Sequence, residues 1–442
     1  MRNKTFTDYI EFLKYAEQHQ DNLTNIKFYD GRLYSFNTPS VRCKFICETS
    51  AITPNNFVKM LGFPNYNAFT YKCFDHLKDF TEYKEDINKW YAGYYGGLIG
   101  INWDKINDYV GDGLVNTFYD YDLNKAYLHA LTGWLPTKFI KTMHYIEYIQ
   151  INEIDRQNYC FFIELEWDKK DGAFLSCLGD IKQIYQSFDF INSKQNKNMI
   201  VSELRFELIK QIYFYSFKIK KVYMFEKRRF MFFRNILNAY CEQKENYGED
   251  FKRNALRLYG TFGQIYKKKV KKLHFEKSII RAEYEVEENL KASPQVAMWV
   301  ADSVALKLFT IISQNLDSVI SWNTDGLTTT KPIKRLQLGT QPGKWKLNKI
   351  IGTPFLLDEV GQRVFYKDVK RNKIFGADTI IERNGYFDFC QEFKFSNTKK
   401  GYVKKTIKTK ILPTLKFDRN RTLRNLILIN ELKEVQKDYE RF

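Results

Sequence analysis

Across YDYDLNKAYL, residues 119–128, aromatic and acidic positions alternate like a strand and then give way to the start of a helix. Alternation puts Asp120 and Asp122 on one face, where ionised carboxylates are costly unless a cation or donor meets them. YCFFIELEW at 159–167 reads as a buried strand, and 202–244 is dominated by helical and aromatic periodicity with many basic side chains. The stretch 263–287 divides into two strand-like halves with a lysine cluster near the first. It could form a basic hairpin on nucleic acid or a solvated edge. Residues 294–314 read as a strongly apolar helix, with Ser293 at the N-cap and Pro294 in the first turn. A strand containing VISW follows, then NTDG, whose Asp-Gly pair is a strong hairpin signal and puts Asp325 at the tip. Asp-Gly also occurs in turns for conformational reasons alone.

Between these acidic positions, EDFKRNALRLYGTFG at 249–263 has the acidic first turn and glycine stop of a helix. Offsets of four and seven put Lys252, Leu256 and Tyr259 on one face and leave Arg253 and Arg257 on another. The first face could hold a triphosphate and a base, and a solvated basic helix with a buried tyrosine would have the same pattern. GYYGGLIGI at 93–101 combines tyrosine faces for stacking with glycines that let the backbone bend or approach a ligand. Residues 1–90 look like a small domain, and leucines recurring from about 420 suggest a closing amphipathic helix.

Composition narrows the function. The 442 residues suffice for two to three domains or one with subdomains, and the net charge of +18 favours a polyanion, nucleic acid first. A Lys-, Asn- and Ile-rich composition also follows from an AT-rich genome. Seven cysteines suit a reducing compartment, although Cys43, Cys47, Cys73 and His76 have a spacing that could complete a zinc site. Ordinary packed thiols are the alternative. The N-terminus lacks the apolar core of a signal peptide, and no run looks like a membrane span of roughly 20 apolar residues. The expectation is a soluble, intracellular protein of the cytoplasm, with no membrane partner.

Taken in order, DLNKAYL, KRNALRLYG and WNTDG resemble motifs A, B and C of family B DNA polymerases. YYGG at 94–97 resembles the Tyr-x-Gly-Gly signature of the protein-primed branch found in phages and linear elements. FYKD at 365–368 occupies the place of a Lys-x-Tyr motif, and KIFGAD at 373–378 resembles a Lys-x-x-Gly segment entering the thumb. The resemblance spans roughly residues 91–412.

It implies an α+β polymerase right hand, with an antiparallel palm sheet and helices, helical fingers and a small thumb, plus a small N-terminal domain. The corresponding boundaries are 1–90 for the N-terminal domain, 91–378 for palm and fingers with two insertions, 379–418 for the thumb and 419–442 for a C-terminal helix. Asp122 and Asp325 would be the catalytic, metal-binding aspartates, with the Leu123 carbonyl as third ligand of two Mg²⁺ ions, Mn²⁺ being an alternative. Nucleotide contacts would come from Tyr127, which stacks on the sugar and disfavours ribonucleotides, from Lys252 and Lys244 on the phosphates, and from Tyr259 beneath the nascent base pair, with Gly260 letting that helix end closely. Tyr94, Gly96, Gly97, Tyr366 and Lys373 would contact DNA. Implied partners are primer-template DNA and dNTPs, with a priming protein as a further candidate held by the insertion at 150–225. The hairpin at 263–287 matches an insertion associated with strand displacement.

Several positions depart from the family pattern. Asn323 replaces the first aspartate of motif C, Leu256 and Arg257 replace an Asn-Ser pair, Lys125 replaces a small residue beside Tyr127, and Val364 stands at the lysine of Lys-x-Tyr, with Arg363 beside it. No Asp-x-Glu precedes Tyr94, so a proofreading exonuclease is not expected. The leading expectation is a proofreading-deficient, template-directed DNA polymerase extending a primer or protein-bound 3′-hydroxyl. A degenerate polymerase fold that binds DNA without synthesis, and a template-independent nucleotidyltransferase, are the alternatives.

Overall fold

A computed structural model describes residues 2–29, 32–45, 64, 73–80, 84–94, 96–101, 117–167, 198–212, 217–242, 258–276 and 279–352, and then strands within 355–413; from 349 onward only the backbone is described. The chain begins with β1 (Arg2–Phe6), α1 (Tyr9–Gln18), β2 (Thr24–Tyr29), β3 (Arg32–Asn37) and β4 (Val41–Phe45), the strands ordered β1-β4-β3-β2. Asp8 starts α1 by accepting from the Ile10 and Glu11 N–H groups, relieving donors that no helical carbonyl can reach. Phe12 and Ala16 then fall on the face that meets Leu33, Phe36 and Cys43 in a core of their own.

Two short helices follow, α2 (Leu77–Phe80) and α3 (Lys84–Gly93). Trp90 on α3 is fully buried and packs its ring against Phe80, Phe162 and Tyr223. Cys73 belongs to this second core, whereas Cys43 belongs to the first, and His76 Nδ1 pairs with the Lys291 carbonyl at 2.7 Å. The candidate zinc grouping is therefore corrected to packed thiols in separate cores, with Cys47 outside the described residues.

After β5 (Leu98–Ile101), β6 (Thr117–Leu123) and α4 (Ala126–Leu131), the chain forms β7 (Leu135–Met143), α5 (Tyr145–Gln150), α6 (Glu153–Asn158), β8 (Tyr159–Trp167), β9 (Asn198–Ser202), α7 (Glu203–Ile212), β10 (Phe217–Arg228) and α8 (Met231–Glu242). Strands β7-β10-β8-β9 make one antiparallel sheet. The helical periodicity read over 202–244 is thus interrupted by a twelve-residue strand, β10. Its exposed Lys218 and Lys220 alternate with half-buried Phe217 and Ile219, and the run Val222–Phe225 is buried on both faces, a pattern that a central strand requires.

A hairpin of β11 (Tyr266–Glu276) and β12 (Ile279–Glu288) comes next, matching the two strand-like halves. Its lysines do not form an uncompensated basic face. Lys267, Lys269 and Lys272 stand opposite Glu287, Glu285 and Glu283, and Lys269 Nζ lies 3.0 Å from Glu287. Leu273 from the same hairpin is buried in the N-terminal core, flanked by Val270 and Phe275.

Helix α9 (Pro294–Gln314) joins the second core to a third. Val296 to Val300 pack with Trp90 and Phe162, and Val304, Leu308, Phe309 and Ile312 pack with Trp322, Leu327 and Trp345. Contrary to the sequence reading, this helix is long and apolar enough to cross a membrane, but 67% of its apolar window is buried inside the protein, as in a core helix. Ser293 occupies its N-cap without a side-chain capping bond; its backbone N–H donates to the Phe262 carbonyl instead.

β13 (Val319–Thr324), β14 (Gly326–Thr329) and β15 (Trp345–Gly352) complete a five-stranded antiparallel sheet ordered β15-β6-β14-β13-β5. β16 (Phe355–Leu357), β17 (Val364–Asp368), β18 (Lys373–Ile374), β19 (Thr379–Arg383), β20 (Tyr386–Lys394) and β21 (Lys404–Pro413) form a six-stranded sheet. The helix expected from about 420 lies outside the described residues.

Candidate active site

Strand alternation in β6 sends Tyr121 and Leu123 into the core, at 2% and 3% exposure, and turns Asp120 and Asp122 to the opposite face. Cross-strand register continues that face as a row: Lys346 on β15, Asp122 on β6, Gly326 on β14 and Asn323 on β13. At Gly326 a Cβ would meet the Tyr121 carbonyl oxygen at 3.0 Å and Asp122 Oδ1 at 3.7 Å, so any side chain there would crowd the backbone beside Asp122.

Asp325 sits in the one-residue link between β13 and β14, as the Asp-Gly pair suggests. Thr324 takes a positive φ of 58°, and its hydroxyl donates to Asp325 Oδ1 at 2.8 Å. The tip is tied to β6 by the Leu123 N–H, which donates to the Asp325 carbonyl at 2.8 Å. Asp122 and Asp325 therefore come together although more than two hundred residues separate them.

Their electrostatics are unfavourable as they stand. The Asp122 carboxyl is pushed up to about 6, first by burial and then by the negative charges of Asp325 and Asp120, while Lys346 and Lys125 oppose the shift. Burial also raises Asp325, against the hydrogen bond from Thr324. Two half-buried carboxylates of like charge suit a hard divalent cation, which would remove the penalty on both. Among the described residues no three His, Cys, Asp or Glu side chains are grouped to hold a metal. Such a cation would thus rely on Asp122, Asp325, backbone oxygen such as the Leu123 carbonyl, and ligands from the substrate.

Aromatic residues gather beside the carboxylates. Tyr127, in the first turn of α4 just after the strand that carries Asp122, stacks on Tyr259 with ring centroids 4.6 Å apart and planes at 4°. Burial raises the pKa of both phenols, and Asp325 adds to the effect on each. A Cβ on Gly97 would lie 2.5 Å from the Tyr127 hydroxyl and 2.7 Å from Thr324 Cα, so only glycine permits that approach. Tyr94 is raised by burial and then by Tyr259, and its ring lies 2.8 Å from the position of a Cβ on Gly263. Gly96 and Gly260 have open space where a side chain would project.

A solved structure of phi29 DNA polymerase complexed with primer-template DNA and incoming nucleotide substrates is similar to this chain, at 12% identity and a TM-score of 0.51, over 92% of this chain and 83% of that one. The fold is polymerase-like. Complexes of the same polymerase with primer-template DNA and with single-stranded DNA align at 13% identity with TM-scores of 0.45 and 0.43, over 83% and 80% of this chain and 59% and 60% of theirs. No protein-family model matches the chain, and no curated protein sequence does.

Within this polymerase-like fold, the structure brings together Tyr94, Gly97, Asp122, Leu123, Tyr127, Tyr259 and Asp325. Lys252 and Lys244 lie outside the described residues. Tyr366 and Lys373 are placed by backbone only, in β17 and β18. Sequence reasoning passed over Lys346, which register sets opposite Asp122, and the fully buried Arg205 and Asp302. An aspartate within the mostly apolar first half of the run 294–314 was the available signal for the last pair.

Proposed function

We propose that this chain is a template-directed DNA polymerase that adds dNTPs to the 3′-hydroxyl of a primer or of a protein-bound nucleotide, without proofreading. The observation that carries the proposal is the meeting of Asp122 and Asp325 at adjoining strand ends, with Tyr127 and Tyr259 beside them. In this reading the primer 3′-oxygen attacks the α-phosphorus, the bond to pyrophosphate breaks, and the hydroxyl proton passes to solvent. Bound Mg²⁺ would lower the charge on the attacking and departing oxygens. Asp122 and Asp325 would hold the cations, Tyr127 would meet the sugar, Tyr259 would support the nascent pair, and Lys252 and Lys244 would offset phosphate charge. Gly96 leaves room for template backbone to approach, while Gly97 lets its own segment lie close against Tyr127 and Thr324.

A second reading, a DNA-binding accessory without synthesis, is favoured by one feature: Asn323 removes a carboxylate from a face to which Lys346 adds a positive charge. Primer extension with Mg²⁺, on templated and untemplated primers, separates the two readings from each other and from terminal addition. Templated extension that stops in Asp325→Asn while DNA binding persists is the expected result. Binding without extension under Mg²⁺ and Mn²⁺ would favour the accessory. A mispaired primer terminus is expected to survive intact with the wild-type chain.

A further inference from the structure

Arg205 and Asp302 are buried to 0% and 1% exposure and come from different elements, α7 and α9. Arg205 Nε donates to Asp302 Oδ1 at 2.7 Å and Nη2 lies 2.6 Å from the same oxygen. Ser202, at the end of β9, donates its hydroxyl to Asp302 Oδ2 at 2.6 Å and accepts from the Arg205 N–H at 3.1 Å. The guanidinium also reaches out of this cluster: Nη2 donates to the Gly96 carbonyl at 3.5 Å. Gly97 follows at once, against Thr324 and the Tyr127 hydroxyl.

Stability alone is a poor reason for such a pair. Desolvating two charges is costly, and well-packed apolar residues of similar volume often do as well or better. What an apolar pair could not supply is a directional hold on a carbonyl next to the tyrosine that faces the sugar. Arg205 is also close enough for its charge to act on the Tyr127 phenol, and Asp302 for its charge to act on Tyr94.

We propose that Arg205, oriented by Asp302 and Ser202, is a positioning residue for Tyr127. By holding the Gly96–Gly97 segment against the tyrosine hydroxyl and the Asp325 hairpin, it sets how strictly the site prefers a 2′-deoxyribose. The inference rests on the polymerase reading above and adds to it a specificity determinant outside the resemblance motifs.

The test uses the full chain and compares dNTP with rNTP incorporation on one primer-template, together with melting temperature. In Arg205→Met/Asp302→Leu, which removes both charges, the melting temperature is expected to stay near wild type or rise. Its preference for dNTP should fall by roughly tenfold or more, chiefly through a lower KM for rNTP, because small displacements of positioning groups change reaction efficiency on that scale. Ser202→Ala, which removes one anchor, should shift the preference in the same direction by less. An unchanged preference in either folded variant would overturn the inference and leave the polymerase reading standing. A wild-type chain that extends no primer would remove that reading, and this inference with it.

Discussion

Asp122 spends its folded life partly out of water and near two other carboxylates, and its titration carries a consequence for stability. The ordinary value for this carboxyl is 3.8 and the folded value is about 6. Between those values the folded chain keeps a proton that the unfolded chain has lost, so this residue makes stability fall as pH rises through that window. Asp122→Asn cannot ionise. Without divalent ions it should melt above wild type at about pH 8, and the gap should close by about pH 4; a variant that melts no higher at the upper pH would contradict the assignment. Gly97→Ala meets backbone at Thr324 as well as the Tyr127 hydroxyl. It should cost about 1–3 kcal/mol in denaturant unfolding through overpacking. Wild-type stability would show that the close approach is absent in solution. At this scale the sequence was informative where chemistry forces a residue type: alternation made Asp122 legible, and an Asp-Gly pair made Asp325 legible. Lys346 was illegible because its place beside Asp122 depends on the pairing of β15 with β6, a long-range register that no local pattern states.

At the scale of elements, patterns that local interactions decide were the readable ones. The long helix α9 and the hairpin of β11 and β12 follow from apolar runs and strand alternation. β10 was misread because four consecutive buried residues satisfy helix and strand periodicities alike, and only its neighbours on both sides select the strand. The partners of a charged strand were equally hidden: the lysines of β11 leave a nucleic-acid-binding hairpin and a solvated edge both open until the glutamates of β12 fall opposite them. The same hairpin inserts Leu273 into the N-terminal core. Leu273→Ala should therefore cost about 2–5 kcal/mol, and hydrogen exchange should rise more in β1 to β4 than in β6. An equal rise in both sheets would argue against this docking.

For the whole molecule, a net charge of +18 favours the polyanionic partner that the proposed function requires. DNA affinity should fall steeply and log-linearly with salt as counterions are released. Because its source is lysine and arginine on phosphate, Asp122→Asn and Asp325→Asn should share the wild-type slope; a flat salt response would leave the charge without that role. The candidate site joins parts of the chain from Tyr94 to Lys346, so its function depends on the complete fold. The most direct measurement is single-turnover incorporation of one dNTP with Mg²⁺ by wild type, Asp122→Asn, Asp325→Asn and the double variant. Each single change should lower the rate as far as the double change does, because residues that hold the same ions act as a unit. Incorporation at the wild-type rate in either single variant would contradict the account.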